Sequence, residues 1–222
     1  MGSRHHAQRS EEKANRFRRH FAANLWVFHS NKNRRYLYIE GDVAFMHCVL
    51  LEGMPEFVSY RPPLNPGLDA DHSALELLPH SVARDQRGHQ TWFGYLRTGS
   101  RREDEVKARS EALVATAAKQ QARCEFVSER YLERHRYLFD NWLVLSRAMT
   151  AAASYPREAE ADALVAILAS EGIFQLGEAL RWPQCDPAMM LAVIAQELQL
   201  GRLGADLTSA LIGPATMIRR VP

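Results

Sequence analysis

Apolar and polar positions alternate through "LWVFHSNKNRRYLYIE" on either side of Ser30–Arg35, which predicts a hairpin or two short strands. The next run, "DVAFMHCVLLEG", reads as a helix stopped by Gly53 and Pro55. "FVSYRPPL" is a strand with a proline-bounded end, and Asn65–Asp71 is turn chemistry. "ALELLPHSVARDQRGHQTWFGYLRTG" then gives a strand, a turn at Gln86–Gly88 and a second strand. A charged helix is expected from Arg101 to Gln121, with Val106, Leu113, Val114 and Ala117 facing inward. "CEFVSERYL" is a short strand leading into another helical segment. Strands broken by one helix make a mixed α/β order.

From "FDNWLVLSRAM" onward the pattern turns helical, which places a domain boundary near Tyr137–Asn141. "PREAEADALVAILASEG" is a helix, "FQLGEALRW" a short second one, and "DPAMMLAVIAQELQLG" a third with Asp186 as N-cap and Pro187 in its first turn. Two short strand-like runs follow in "GRLGADLTSALIGPATMIRRV". Three helices and a β-wing are the pattern of a winged helix. The expected organisation is an arm over residues 1–22, an α/β domain over 23–138 and a winged-helix domain over 139–222.

Composition narrows the class. With 222 residues, 46% of them hydrophobic and 24% charged, the chain can bury a core of ordinary globular kind. Its apolar runs are interrupted well before membrane-spanning length, and "MGSRHHAQRSEEKANRFRRH" lacks the apolar centre of a secretory signal. Cys48, Cys124 and Cys185 are odd in number and far apart. They offer neither a disulfide framework nor a CxxC zinc site, and the expected home is the cytoplasm.

Charge changes the picture more. Residues 1–35 hold nine lysines and arginines against two glutamates, a local +7 that leaves −5 on the rest of a chain whose total is +2. A basic arm on an acidic body suits contact with phosphate backbone. The expected DNA contacts are Arg16, Arg18, Arg19, Lys32, Arg34 and Arg35, with Arg219 and Arg220 at the wing as second candidates. The third C-terminal helix holds Asp186 and Glu197 and no cation before Arg202, so it is a weak DNA reader and a better protein-docking surface. Trp26, Trp92, Trp142 and Trp182 read as core. His47 and Cys48, adjacent on a helix, diverge, one buried and one at the edge. No Ser-His-Asp set and no phosphate-binding glycine loop can be assembled.

The arrangement resembles the TnsA family of transposon-end endonucleases. In that family a nuclease domain of restriction-endonuclease (PD-(D/E)XK) fold precedes a C-terminal winged helix. The resemblance spans Phe28 to Arg220 and lies in spacing more than identity. It is carried by "FHSNKNRRYLYIEGDVAFMHCVLLEGMPEFVSYRPP", "CEFVSERYLERHRYLFDNWLVLSR" and "LQLGRLGADLTSALIGPATMIRRV". It implies a catalytic Glu on the first helix, a catalytic Asp at a strand start and a catalytic Lys ending the next strand. Those positions fall on Ala44, four residues after Glu40, on His80 in "LPHSV" and on Leu96 in "WFGYL".

Mg²⁺ wants carboxylate oxygens that place a hydrolytic water beside the phosphate, and neither alanine nor leucine supplies any part of that. Glu40 and Asp42 are the remaining acidic candidates. Asp42 lies two positions from residue 44, about 200° around the helix, and so faces away. Asp69, Asp71 and Asp85 read as turn residues. The resemblance therefore implies a nuclease-fold subunit without a catalytic centre and without a metal or other cofactor. Its partners would be transposon-end DNA, a DDE transposase, an AAA+ ATPase regulator docked on the winged helix, and an active TnsA paralogue; no membrane is expected. Two alternatives stand beside it: a divergent Mg²⁺-dependent endonuclease using Glu40 and Asp42, and a winged-helix DNA-binding regulator.

Overall fold

The computed structural model describes residues 24–62, 80–96, 103–170 and 172–221. Arg16, Arg18, Arg19 and the Asn65–Asp71 turn lie outside the described residues. Strand β1 (Leu25–Ser30) pairs antiparallel with β2 (Arg35–Glu40) in a hairpin, with Phe28 opposite Leu37 and Val27 opposite Tyr38. The alternation works as the pattern requires: Phe28, Ser30, Leu37 and Ile39 turn inward. Gly41, at φ 87, makes the bend into helix α1 (Asp42–Glu52), a backbone turn that a side chain would strain.

Helix α1 is buried almost all round, from Ala44 and Phe45 through His47 to Glu52. A helix lacking a wet face must be enclosed by other elements. On one side Phe45 stacks on Trp26 at 4.4 Å and meets Phe28 and Phe139 edge to face. On another, the His47 ring meets Phe93 at 4.6 Å. The helix stops at Gly53, where a Cβ would overlap the Trp142 indole.

Strands β3 (Phe57–Arg61), β4 (Ser81–Asp85) and β5 (Gln90–Leu96) run antiparallel, and β6 (Arg123–Ser128) joins β5 in parallel after helix α2 (Glu103–Lys119). The sheet order is β3-β4-β5-β6. Asp85 closes the β4–β5 turn by accepting from Arg87 N and His89 N, both at 2.8 Å. The inward face of α2 is built on Leu113 and Ala117 with Val106 and Ser110 half-buried; Val114 instead stands 45% exposed. One residue turns an α-helix by about 100°, so Val114 cannot share the line of Leu113.

Helix α3 (Glu129–Arg134) starts at Ser128, whose hydroxyl accepts from Tyr131 N at 3.2 Å. Helix α4 (Arg136–Ala151) runs unbroken through the expected boundary at Tyr137–Asn141 and touches both sides of it. Its Trp142 abuts Gly53 of the α1 terminus, while Asn141 Nδ2 donates to Leu207 O and Ala210 O at 2.9 and 2.8 Å. Ile212 N in turn donates to Asn141 Oδ1 at 2.7 Å, so one amide fixes the whole loop.

The last unit is α5 (Glu158–Ser170), β7 (Ile173–Gln175), α6 (Leu176–Ala179), α7 (Pro187–Gln199), β8 (Leu203–Ala205) and β9 (Met217–Arg220), with an antiparallel sheet in the order β7-β9-β8. Asp186 caps α7 as expected, accepting from Ala188 N and Met189 N. Three-residue β7 has no pattern long enough to predict it. Of the tryptophans, Trp142 is core at 2% exposure, whereas Trp26 and Trp182 are 37% and 39% exposed. Among the described residues no helix is long and apolar enough to cross a membrane.

Candidate functional site

Three elements meet where α1 crosses the beginning of β4 and the end of β5. Helix α1 supplies His47, β4 supplies Ser81 just after His80, and β5 supplies Tyr95. The Tyr95 hydroxyl lies 3.1 Å from His47 Nδ1, with Ser81 Oγ at 3.4 Å from the same atom. The His80 ring stacks on Tyr95 at 4.9 Å, and His80 Nδ1 accepts from Tyr95 N at 3.0 Å.

Burial sets the chemistry of this cluster. His47 is 1% exposed, and desolvation lowers its pKa to about 3, so the ring is neutral at ordinary pH. Burial also drives the Tyr95 hydroxyl well above its usual range, which keeps it protonated. Both hydroxyls address Nδ1 of the neutral ring, which leaves Nε2 as its other nitrogen. That nitrogen is buried without a hydrogen-bond partner. Ser81 is fully buried and its histidine has no carboxylate behind it, so the pair is not an activated nucleophile.

The positions read from the sequence distribute differently. Ala44 is packed into the core and Leu96 ends β5 half-buried. The residue of α1 that faces the strands is His47, one turn further along, and it is buried together with Cys48 rather than split from it. Burial pushes the Cys48 thiol far up, so it is not a nucleophile at neutral pH. Glu40 is the last residue of β2, opposite Leu25. Asp42 Oδ1 accepts from Asn24 Nδ2 and Trp26 Nε1, both at 2.9 Å, which ties the start of α1 to β1 and holds its carboxyl below the usual range. Among the described residues no three His, Cys, Asp or Glu side chains are grouped to hold a metal.

On the opposite side of α1 lies a carboxylate that the sequence reading passed over. Glu52 is fully buried, and five donors converge on it. Ser30 Oγ and the Tyr60 hydroxyl donate to Oε1; Asn31 N, Lys32 N and Gln199 Nε2 donate to Oε2, the last at 2.9 Å. The signal was present: a lone acid ending the apolar run "AFMHCVLLE" has to find partners or stay outside.

Lys32, expected among the DNA contacts, is engaged inside the protein here. Its Nζ donates to Met54 O and to Phe57 O, the latter at 2.7 Å, and burial lowers its pKa to about 8 against the pull of Glu52 and Glu56. Its neighbours Arg34 and Arg35 stay exposed, Arg34 at φ 52 in the hairpin turn. Arg219 and Arg220 are also exposed, on β9.

Helix α7 exposes Pro187, Ala188 and Gln196 and buries most of the rest. Ala192, Val193, Ile194 and Ala195 are all buried in succession, and α4, α5 and β8 pack around them. The exposed side of α7 is the one on which Ala188 and Gln196 flank the small Ala192.

No protein-family model matches the chain, no curated protein matches it, and no solved structure matches it.

Proposed function

We propose that this chain is a TnsA-like transposition protein whose nuclease-fold domain lacks a catalytic centre and serves to position transposon-end DNA. The order α1-β3-β4-β5-α2-β6, with its last strand pair parallel, supports a restriction-endonuclease-like domain. The order α5-β7-α6-α7-β8-β9, with β9 central in its sheet, supports a winged helix after it.

One observation carries the loss of cleavage. Where helix, strand start and following strand would gather metal ligands, this chain gathers His47, Ser81, His80 and Tyr95. Among the described residues that set is neutral at the buried histidine and offers no carboxylate, a poor match for a hard divalent ion beside a phosphate. The divergent-endonuclease alternative loses support, because the hydrogen bonds to Asp42 give it a structural task. The regulator alternative loses support too, because the exposed residues of α7, Pro187, Ala188 and Gln196, include no cation to read a major groove. In this proposal Arg34, Arg35, Arg219 and Arg220 contact phosphates. The DDE transposase and the ATPase regulator are partners, the latter on exposed parts of the winged helix such as Leu211 and Met217.

The test is a gel shift and nicking assay on transposon-end duplex with Mg²⁺ and with Mn²⁺. Retarded DNA without cuts is expected. Cutting by the purified chain that Asp42→Asn abolishes would overturn the proposal, as would equal affinity for end and unrelated duplex in the presence of the transposase.

A further inference from the structure

The outer face of the β1–β2 hairpin is apolar and aromatic. Leu25, Val27, Tyr36 and Tyr38 are 50%, 59%, 62% and 63% exposed. Strand register sets Val27 across from Tyr38 and His29 across from Tyr36, whose rings meet edge to face at 5.0 Å. Among the described residues neither strand continues into another sheet. A contiguous exposed face of this kind on a two-stranded hairpin marks an interaction surface.

The surrounding charge selects its occupant. Arg34 and Arg35 close the hairpin, both exposed, and among the described residues neither makes an ion pair. Of the hairpin's three cations, Lys32 is spent on the carbonyls of Met54 and Phe57, which leaves Arg34 and Arg35 to face solvent. A second copy of the chain would bring like charges together at this rim. An uncharged peptide would leave the two arginines without partners. A polyanion with exposed π-faces matches both the cations and the rings. Tyr36 and Tyr38 project from the same face two residues apart, about 7 Å along the strand. That is about twice the 3.4 Å rise of stacked bases, a distance at which two successive unstacked bases each meet a ring.

We infer that this face binds single-stranded DNA, with unpaired bases stacked on Tyr36 and Tyr38 and the backbone held by Arg34 and Arg35. The inference rests on the DNA-positioning proposal and adds to it the kind of DNA that this surface takes: unpaired nucleotides beside a duplex.

Fluorescence anisotropy of the full chain with labelled oligo-dT and with a blunt transposon-end duplex tests it. Tyr36→Leu/Tyr38→Leu keeps apolar bulk on the strands while removing the rings. It should weaken oligo-dT binding about tenfold or more and leave duplex binding unchanged. Tyr36→Phe/Tyr38→Phe should restore the loss. Arg34→Ala/Arg35→Ala should weaken both DNAs and flatten the salt dependence by roughly two phosphate contacts. Wild-type oligo-dT affinity in the leucine variant overturns the inference. So does a self-associating wild type that becomes monomeric in that variant without loss of oligo-dT, since the face would then cover a second copy. A wild type that binds duplex but not oligo-dT overturns only this inference; one that binds neither overturns the DNA-positioning proposal as well.

Discussion

His47 and Glu52 sit on the same helix, at 1% and 0% exposure, and their surroundings treat them in opposite ways. Glu52 meets five donors from the hairpin, β3 and α7. His47 meets two hydroxyls on one nitrogen and nothing on the other. The carboxylate of α1 thus lies on the side away from β4 and β5, where it organises structure, while the side facing those strands carries a neutral ring. A polar residue in a core is kept either by complete satisfaction or by giving up its charge. This helix shows both solutions about one and a half turns apart.

The sharpest break in that comparison is Glu52→Ala. It strands four donors inside the protein, two of them backbone amides of the hairpin turn, while Gln199 keeps Glu52 O. Each buried donor left unmet costs about 1–3 kcal/mol, so the loss should exceed about 4 kcal/mol, a large part of a domain's stability. Glu52→Gln should also destabilise, because its amide NH₂ faces donors on whichever side it points. Urea unfolding measures both. A loss below about 1 kcal/mol for the alanine variant would mean that water replaces the carboxylate and that the node is not structural.

The histidine side is read by pH. The pKa of His47 falls from 6.5 in the unfolded chain to about 3 in the fold. Between those values the unfolded state binds the extra proton, so stability rises with pH there. His47 costs nothing above pH 6.5, and stability drops by about 1.4 kcal/mol per unit as pH falls from there toward 3. His47→Gln should remove that component of the acid slope while leaving other titrations in place. Parallel slopes for wild type and variant between pH 6.5 and 4.5 would show that His47 gains water or a partner on protonation.

Much of this architecture was legible in the sequence, and what was not has a common cause. Alternation across Ser30–Arg35, the Gly53 stop and the Asp186-Pro187 start each act within a few residues, and the hairpin, α1 and α7 follow them. What local pattern cannot carry is which side of an element meets which neighbour. Helix α1 has too little polar surface to orient it, so counting from Glu40 points to Ala44, whereas packing against β4 and β5 selects His47. Lys32 and Arg34 look alike in a charge count, yet the hairpin turn aims Lys32 at two carbonyls of the α1–β3 connection and leaves Arg34 outside. The low charge of α7 matches its burial at Met190, residues 192–195 and Leu198, while Pro187, Ala188 and Gln196 stay exposed.

A smaller change asks whether the Glu52 node joins the two halves of the chain or serves only the first. Gln199 Nε2, at the end of α7, donates to Glu52 Oε2 at 2.9 Å and to Glu52 O at 3.2 Å. Gln199→Ala leaves the carboxylate with four donors, so the expected cost is about 1–2 kcal/mol. If the contact couples the halves, Gln199→Ala should cost less once Glu52→Ala is present, with an interaction energy of about 1 kcal/mol. It should also speed amide exchange on both sides of the contact, in the hairpin turn at Asn31 and Lys32 as well as at the end of α7. Full additivity, with faster exchange confined to α7, would make Gln199 a surface tether. His47 would then be the counterpart of a node belonging wholly to the hairpin, α1 and β3, and α4 would be left to join the halves through Trp142 and Asn141.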